Sequence, residues 1–194
     1  MPSPPRDAAP GFHHVWVNAT GDWDYFLDEV DRISWVRWLV AVVDRRAWTC
    51  IAFCQMYTHV HLLLHVPDDS LSAGMRDLNR EYSTDFNARH ERVGTFVRKP
   101  FGSRRIESGR DLVGTYGYVV LNAEDLGELP EEWRWSSYRT TLGLADDFPF
   151  VDARSVIAEA GGTVEDLRSA VESIASDRLL RTRPGPGPGR VRKS

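Results

Sequence analysis

Cysteines and long apolar segments are scarce in this chain of 194 residues. Its two cysteines, Cys50 and Cys54, fall in one predicted strand, where their α-carbons lie about 13 Å apart, beyond the reach of a disulfide bond. They point to the same face and are interpreted as small core residues, since no second pair completes a zinc site. No apolar run reaches the roughly 18 residues that a transmembrane helix needs, so no membrane-spanning helix is expected.

A secretion signal is also lacking. Residues 1–11 are rich in proline and small residues, and they contain no apolar core of the kind that signal peptides have. We therefore predict a disordered leader and a cytoplasmic protein that has no membrane partner.

Basic residues are outnumbered, 24 against 28 acidic residues, and the formal net charge is −4. Six of the 24 lie in residues 178–194, where alternating proline and glycine predict a flexible basic tail. The rest of the chain has 18 basic residues and a net charge of −10, which is unlike a broadly cationic nucleic-acid binder. Phosphate binding needs a local patch, and residues 94–107 offer one, with a solvated loop as the alternative. Its basic residues are Arg98, Lys99, Arg104 and Arg105.

Apolar periodicity predicts a main domain over residues 12–148 and a small helical appendage over residues 149–177. After a first strand at 12–17, the domain has a helix at 24–43 and a hairpin of strands at 48–55 and 59–66. A second helix follows the hairpin. The faces predicted to lie in the core are Phe26, Val30, Ile33, Arg37 and Val40 in the first helix, and Leu71, Met75, Leu78, Tyr82 and Phe86 in the second.

The hairpin has two histidines separated by one apolar residue, in the order His59-Val60-His61. Because side chains alternate along a strand, both imidazoles emerge on one face, about 7 Å apart. Neutral imidazoles at that spacing can converge on one divalent metal ion. A pair of hydrogen-bonded histidines at a strand end is the alternative, and for an isolated motif it is the default.

A third predicted helix, over residues 111–123, has an apolar face and a separate polar face. The polar side chains follow one another at steps of four, three and four residues: Asp111, Thr115, Tyr118 and Asn122. Tyr118 and Asn122 therefore lie one above the other. Gly114 and Gly117 each cost such a helix about 1 kcal/mol relative to alanine. They indicate either a close backbone approach or a helix that can move.

Three segments together resemble a known family. They are Met-Tyr-Thr-His-Val-His-Leu-Leu-Leu (56–64), Tyr-Gly-Tyr-Val-Val-Leu-Asn (116–122) and Trp-Arg-Trp-Ser-Ser-Tyr (133–138). In this order and spacing they resemble the REP-associated tyrosine transposases, a branch of the single-tyrosine HUH transposases, over about residues 12–143. The last segment is also typical of an aromatic lid on a core, with stacking on nucleobases as the sharper alternative.

The resemblance implies both a fold and an activity. The fold is a ferredoxin-like α+β domain, in which an antiparallel sheet has helices on one face. The activity is that of a metal-dependent endonuclease and strand transferase that acts on single-stranded DNA with hairpin-forming repeats. His59 and His61 match the metal-binding pair of the family, Tyr118 matches its nucleophile, and Asn122 matches the residue that completes the metal site.

Three neutral ligands leave a divalent ion its full charge, so Mg²⁺ or Mn²⁺ is the expected ion, although histidines bind zinc and nickel more tightly. Attack by the phenol would leave a 5′-phosphotyrosine and a free 3′-hydroxyl, and reversal would join strands. Two alternatives stay open: a domesticated, non-catalytic DNA-binding protein of the same fold, and an unrelated phosphoesterase that activates water. A monomer is expected over a dimer because no exposed apolar stripe is evident outside the core helices.

Overall fold

A four-stranded antiparallel sheet lies at the centre of the computed structural model, which describes residues 9–21, 24–98 and 101–182, without the side chains of 181 and 182. The strands are β1 (Gly11–Asn18), β2 (Thr49–Gln55), β3 (His59–Val66) and β4 (Gly102–Arg105). Their order in the sheet is β2-β3-β1-β4, and every neighbouring pair is antiparallel. The predicted hairpin of β2 and β3 is therefore confirmed.

Six α-helices and a 3-10 helix accompany the sheet within the described ranges. Asp28 caps the first helix by accepting a hydrogen bond from the Asp31 backbone N–H at 3.1 Å, and Ala47 ends that helix in a left-handed conformation. The helices are α1 (Glu29–Arg46), α2 (Leu71–Arg89), α3 (Gly109–Val120), the 3-10 helix (Leu121–Leu126), α4 (Tyr138–Thr141), α5 (Arg154–Ala160) and α6 (Val164–Thr182).

The larger core lies between one face of the sheet and the helices α1 and α2. Val60, Leu62 and Leu64 of β3 point into it and are fully buried. This alternation along the strand sends the residues between them to the opposite face. Apolar side chains of the two helices complete this core, among them Trp35, Leu39, Met75, Leu78 and Tyr82.

A second core lies on the opposite face, between the sheet and α3. Leu63 of β3 packs there in a cluster with Tyr116 and Val119 of α3. Behind α3 lie α5 and α6, so the segment predicted as an appendage is part of this second layer. The predicted α+β fold with an antiparallel sheet is confirmed. Helices α1 and α2 share one face as expected, and α3 adds a layer on the other because β3 is apolar on both faces.

The predicted buried face of α1 is wrong at Val30 and Ile33, which are 55% and 58% exposed. The helix instead buries two charged residues among its apolar ones, Asp31 and Arg32. An apolar count assigns such positions to the solvent side, although here polar partners inside the fold satisfy them. The exposed pair also removes the argument from which a monomer was expected.

The two buried cysteines lie on opposite faces of the sheet, contrary to the prediction. A β-bulge between Cys50 and Ala52 shifts the alternation of β2 by one residue. Cys50 therefore packs in the α1–α2 core, and Cys54 packs on the α3 side. Both are free thiols.

The helix α6 continues past the predicted start of the basic tail. Arg178 lies in it and donates hydrogen bonds to the carbonyl of Leu121 at 3.0 Å and the carboxylate of Asp125 at 2.7 Å. These contacts hold the end of α6 against the 3-10 helix. Residues 1–8 and 183–194, the greater part of the predicted leader and tail, lie outside the described residues. In the described part of the chain, no helix combines the length and apolarity that crossing a bilayer requires.

Candidate active site

The imidazoles of His59 and His61 lie side by side on the α3 face of β3. Their ring centroids are 5.0 Å apart and their planes are nearly perpendicular. His61 is buried, and the half-buried His59 has its Nδ1 atom 3.0 Å from the hydroxyl of Thr58. Strand alternation thus places the two rings on one face, as the sequence indicated.

A third imidazole, which the sequence analysis did not single out, comes from His14 on β1. Its Nε2 atom lies 3.0 Å from Nδ1 of His61, and the two rings stack with centroids 5.1 Å apart. The contact is diagonal, because Trp16 is the residue directly opposite His61 in the register of β1 and β3. In the sequence, the only sign of this third imidazole is the doublet His13-His14 in a predicted strand. The sequence does not specify the register between β1 and β3 that brings His14 to His61.

Burial keeps these imidazoles uncharged. It lowers the pKa of His14 from 6.5 to about 4, with a further lowering by the nearby Arg104 and an opposing effect of Asp111. Burial also lowers the pKa of His61 to about 3, and the neighbouring histidines add to that effect. The pKa of His59 is lowered as well, chiefly by burial. Each ring therefore offers a nitrogen lone pair at neutral pH, as a metal ligand requires.

Tyr118 of α3 stands over the histidines. Its ring centroid lies 5.5 Å from that of His14 and 5.4 Å from that of His61, both in edge-to-face geometry. Tyr118 is 45% exposed, whereas Tyr116 is fully buried in the α3 core. Of these two tyrosines, Tyr118 is therefore the one that a large substrate can reach.

Asn122 lies just after α3, in the 3-10 helix, and is buried. Its Nδ2 atom donates to the carbonyls of Tyr118 at 2.7 Å and Val119 at 3.3 Å. Because both partners are acceptors, they fix the amide nitrogen and leave the amide oxygen on the other side. Its hydrogen bonds within the described residues run to α3, and none joins it to His59 or His61.

The donor set fits a divalent ion that takes part of its coordination shell from elsewhere. Among the described residues, no group of three or more His, Cys, Asp or Glu side chains is arranged to hold a metal ion. His59 and His61 bring two imidazole rings together on one face of β3. The contact with His14 occupies Nδ1 of His61, which leaves Nε2 as the nitrogen for a metal. The amide oxygen of Asn122 and oxygens of a substrate are the ligands that such an ion would need in addition.

Arg104, predicted to contact DNA, is already engaged in an ion pair. Its guanidinium donates to both carboxylate oxygens of Asp111, at 2.7 and 2.9 Å, and to the hydroxyl of Thr115 at 2.7 Å. The hydrogen bonds to Asp111 raise the pKa of Arg104, and those from Arg104 lower the pKa of Asp111. Both groups thus remain ionised, and their charges cancel locally.

The other basic residues of the predicted patch that the structure describes, Arg98 and Arg105, lie apart from Arg104. Arg105 alternates with Arg104 on β4, so it points to the opposite face, where it donates to the carbonyl of Pro10 at 3.3 Å. Arg98 is exposed, and its backbone N–H pairs with the carbonyl of Asn18. Lys99 lies outside the described residues. Arg98 and Arg105 therefore do not form one cationic surface with Arg104.

The segment Trp133–Tyr138 is an aromatic lid on the core, as predicted. Trp133, Trp135 and Tyr138 are all buried, which leaves little ring surface for stacking on bases. The indole N–H of Trp133 donates to the carbonyl of Gln55 at 3.1 Å. The lid thereby fixes the end of β2, just before the turn that leads to His59.

Tyr57 is the exposed aromatic residue of that turn, at 48% exposure. Its ring meets Trp133 edge-to-face, with centroids 6.1 Å apart, and the buried guanidinium of Arg32 lies 5.5 Å from its centroid. Its carbonyl accepts hydrogen bonds from the backbone N–H groups of Tyr25 and Phe26. Tyr57 is therefore a rigidly supported aromatic face two residues from His59.

Comparisons with known proteins find a match in three-dimensional structure and none in sequence. No family model matches the chain, and no curated protein does. Among solved structures, that of a REP-associated tyrosine transposase bound to a REP hairpin is similar, with a TM-score of 0.65. The chain shares the fold of this transposase. The match covers 79% of this chain and 93% of the transposase chain.

The transposase and this chain are 16% identical, so the likeness is one of fold. It nevertheless agrees with the resemblance that the three sequence motifs indicated independently. The transposase in the solved structure holds a REP hairpin.

Proposed function

We propose that this chain is a transposase-like DNA endonuclease and strand transferase in which Tyr118 is the nucleophile. One observation carries the proposal: an exposed tyrosine ring lies 5.4 Å from His61, which stands beside His59. The fold shared with a REP-associated tyrosine transposase supports it. Since that relative is bound to a REP hairpin, we propose single-stranded, hairpin-forming DNA as the substrate class.

The proposed reaction is a transesterification. The phenol oxygen of Tyr118 forms a bond to phosphorus, and the bond from phosphorus to the 3′ oxygen of the DNA breaks. The phenol gives its proton to water, which reaches the half-exposed ring, and the departing 3′ oxygen takes up a proton. The products are a 5′-phosphotyrosine and a free 3′-hydroxyl, and attack by a 3′-hydroxyl reverses the step without any other energy source.

His59, His61 and the amide oxygen of Asn122 would hold the ion, for which Mg²⁺ or Mn²⁺ is proposed. When bound, such an ion would draw negative charge from the phosphate and so help the weakly acidic phenol to attack. The histidines contribute by staying neutral, since burial lowers the pKa of both. His14 contributes by occupying Nδ1 of His61, which directs Nε2 of that ring outward.

DNA phosphates would be bound by a few residues, because the chain as a whole is acidic. Arg98 and Arg105 are the exposed candidates that the structure describes, and Lys99 stays a candidate from the sequence. Few phosphate contacts predict a shallow dependence of affinity on salt concentration. Arg104 is a weaker phosphate ligand, because Asp111 neutralises it.

Capture of the covalent adduct tests the proposal. The probe is a labelled pool of single-stranded hairpins with randomised loops and flanks, incubated with Mn²⁺ and run on a denaturing protein gel. Wild-type protein should carry the label, and Tyr118→Phe should not, although it still retains hairpins on a non-denaturing gel. The matched control is Tyr116→Phe, which removes a hydroxyl from the fully buried tyrosine two residues away and should keep the adduct.

Other outcomes identify the alternatives. Hairpin retention without an adduct would indicate a non-catalytic DNA-binding protein. Cleaved DNA without an adduct, persisting in Tyr118→Phe, would indicate water attack by a phosphoesterase, and the tyrosine mechanism would be wrong.

A further inference from the structure

A pocket of about 360 Å³ opens beside Tyr118, between α3 and the strands β1 and β4. This volume is within the range of sites that hold small organic groups, roughly 300 to 1,000 Å³. The proposed cleavage uses Tyr118 directly, and it uses His14 through its contact with His61. The other residues of the pocket have no role in it. The lining residues are His14, Arg104, Asp111, Gly114, Thr115 and Tyr118.

Gly114 and Gly117 of α3 occupy their positions for different structural reasons. A Cβ atom on Gly117 would lie 2.5 Å from the Cδ1 atom of Ile174, so this glycine allows the close approach of α6. A Cβ atom on Gly114 would meet no neighbouring group of the described chain within 4 Å. Packing therefore does not require a glycine at 114, although glycine weakens the helix there. The absence of a side chain at position 114 leaves the pocket open.

The charge inside the pocket favours a neutral, polar group over a phosphate. Arg104 and Asp111 form a two-hydrogen-bond ion pair with no net charge, and Thr115 bonds to both of them. A phosphate that approached Arg104 would also meet the carboxylate of Asp111. An unpaired nucleobase is uncharged and presents both donors and acceptors along its edge, which this trio of side chains can match. The Tyr118 ring offers an aromatic wall for the same base.

We propose that this pocket takes one unpaired nucleobase of the DNA strand, adjacent to the phosphate that Tyr118 attacks. Arg104, Asp111 and Thr115 read the polar edge of the base, and Gly114 gives it room. The inference rests on the proposed function, because it assigns the substrate contact of the same site. It also gives Arg104 a role in base recognition, where the sequence alone predicted phosphate contact.

Filling the pocket tests the proposal by DNA binding, without any need for cleavage. In a Tyr118→Phe background, the side chain at 114 is enlarged in the series Gly114→Ala and Gly114→Leu, both of which favour the helix. The probe is a fluorescent hairpin with single-stranded flanks, enriched from a randomised pool by binding to the Tyr118→Phe protein. The expected loss of affinity grows with side-chain size and is on the order of 10-fold for leucine, the usual effect of losing one stacked base.

Abasic substitutions along the flanks locate the base. One position should lose on the order of 10-fold in affinity with the parent protein and nothing further with Gly114→Leu, because the leucine already occupies its place. Thr115→Val, which nearly preserves shape, should change the base preference at that position alone. If Gly114→Leu shows no cooperative unfolding transition, that variant is not folded, and Thr115→Val then provides the test of the pocket in its place.

Three results would overturn the inference. An unchanged affinity of Gly114→Leu for the hairpin would refute base binding in the pocket and would leave the proposed function unaffected. Equal abasic losses with and without the leucine would show that the side chain acts elsewhere. Failure of the parent protein to enrich any hairpin from the pool would refute the proposed function, and the pocket inference with it.

Discussion

Nε2 of His14 and Nδ1 of His61 lie 3.0 Å apart, across two neighbouring strands. One of the two nitrogens must carry the shared proton and the other must accept it. If His61 binds a metal through Nε2, its proton resides on Nδ1 and is donated to His14, which fixes both the tautomer and the ring orientation. In that case His14 would be a positioning residue for a ligand that a different strand supplies.

Replacement of His14 should therefore weaken metal binding without removing a ligand. For His14→Ala we expect the affinity for Mn²⁺ to fall by about 10- to 100-fold, the usual effect of losing a partner of this kind. Isothermal titration of Mn²⁺ into metal-free protein measures it. His14→Gln, which keeps an acceptor on the side chain, should lose less. Equal affinities in wild type and His14→Ala would contradict the positioning role.

The site was predictable as far as single elements are concerned. Strand alternation alone places His59 and His61 on one face, and helical spacing alone separates the exposed Tyr118 from the buried Tyr116. The part played by His14 depends on the register between β1 and β3, which no local pattern specifies. Long-range pairing is therefore the information that local sequence patterns lack.

The pairing of Arg104 with Asp111 and the buried charges of α1 were missed for a related reason. Asp31 is buried because Arg89 and His90, some 60 residues away in sequence, bind its carboxylate. Hydrophobic periodicity counts such a residue as solvent-facing, and so it turned the predicted core face of α1 towards Val30 and Ile33. A charged residue is buried only where a partner exists, and the partner comes from the tertiary fold.

The stability of the metal-free protein should depend on pH through His14 and His61. Their pKa values in the folded state, about 4 and about 3, lie below the ordinary 6.5, so below pH 6.5 the unfolded chain binds more protons. The histidine contribution is therefore fully present above pH 6.5 and is lost as the pH falls towards 4. Each unit of difference corresponds to about 1.4 kcal/mol, which gives a loss on the order of 3 kcal/mol for each of the two histidines over this range.

Urea unfolding in the presence of a chelator, repeated between pH 7.5 and about 4, measures this dependence. His14→Gln lacks one of the two titrating rings and should have a flatter profile over the same range. An identical slope in wild type and His14→Gln would show that other groups control the acid sensitivity.

Tyr57 should contribute to binding of single-stranded DNA. It is 48% exposed, and Trp133 and Arg32 support its ring from within the fold, so that stacking costs little additional ordering. Loss of one base-stacking ring typically costs about 1 to 3 kcal/mol, and we expect Tyr57→Ala to weaken hairpin binding about 10-fold. Fluorescence anisotropy with a hairpin that has single-stranded flanks measures it.

The aromatic requirement distinguishes stacking from mere contact. Tyr57→Phe keeps the ring and should bind as wild type does, whereas Tyr57→Leu keeps apolar surface without the ring and should resemble Tyr57→Ala. Equal binding by the phenylalanine and leucine variants would refute stacking at this position. The sequence did not distinguish Tyr57 from Trp133 and Trp135, since only the fold decides which aromatic residues face outward.

The helix α6 should be necessary for the position of Tyr118, because it packs behind α3. Leu167 of α6 is fully buried in the cluster that includes Tyr116 and Val119 of α3. Leu167→Ala should lower the free energy of unfolding by about 3 kcal/mol, the usual cost of such a cavity. Leu180→Ala, which truncates a 65% exposed residue of the same helix, should change it by less than about 0.5 kcal/mol.

Urea unfolding followed by tryptophan fluorescence and by circular dichroism separates two views of residues 149–177. If this segment belongs to the second core, both probes should report one transition, shifted as a whole in Leu167→Ala. An early helical transition that leaves the tryptophan signal unchanged would indicate a separate unit instead. The helix α3, which bears Tyr118, lies between α6 and the sheet. A single transition would therefore mean that α3 needs its contacts with both α6 and the sheet to stay folded.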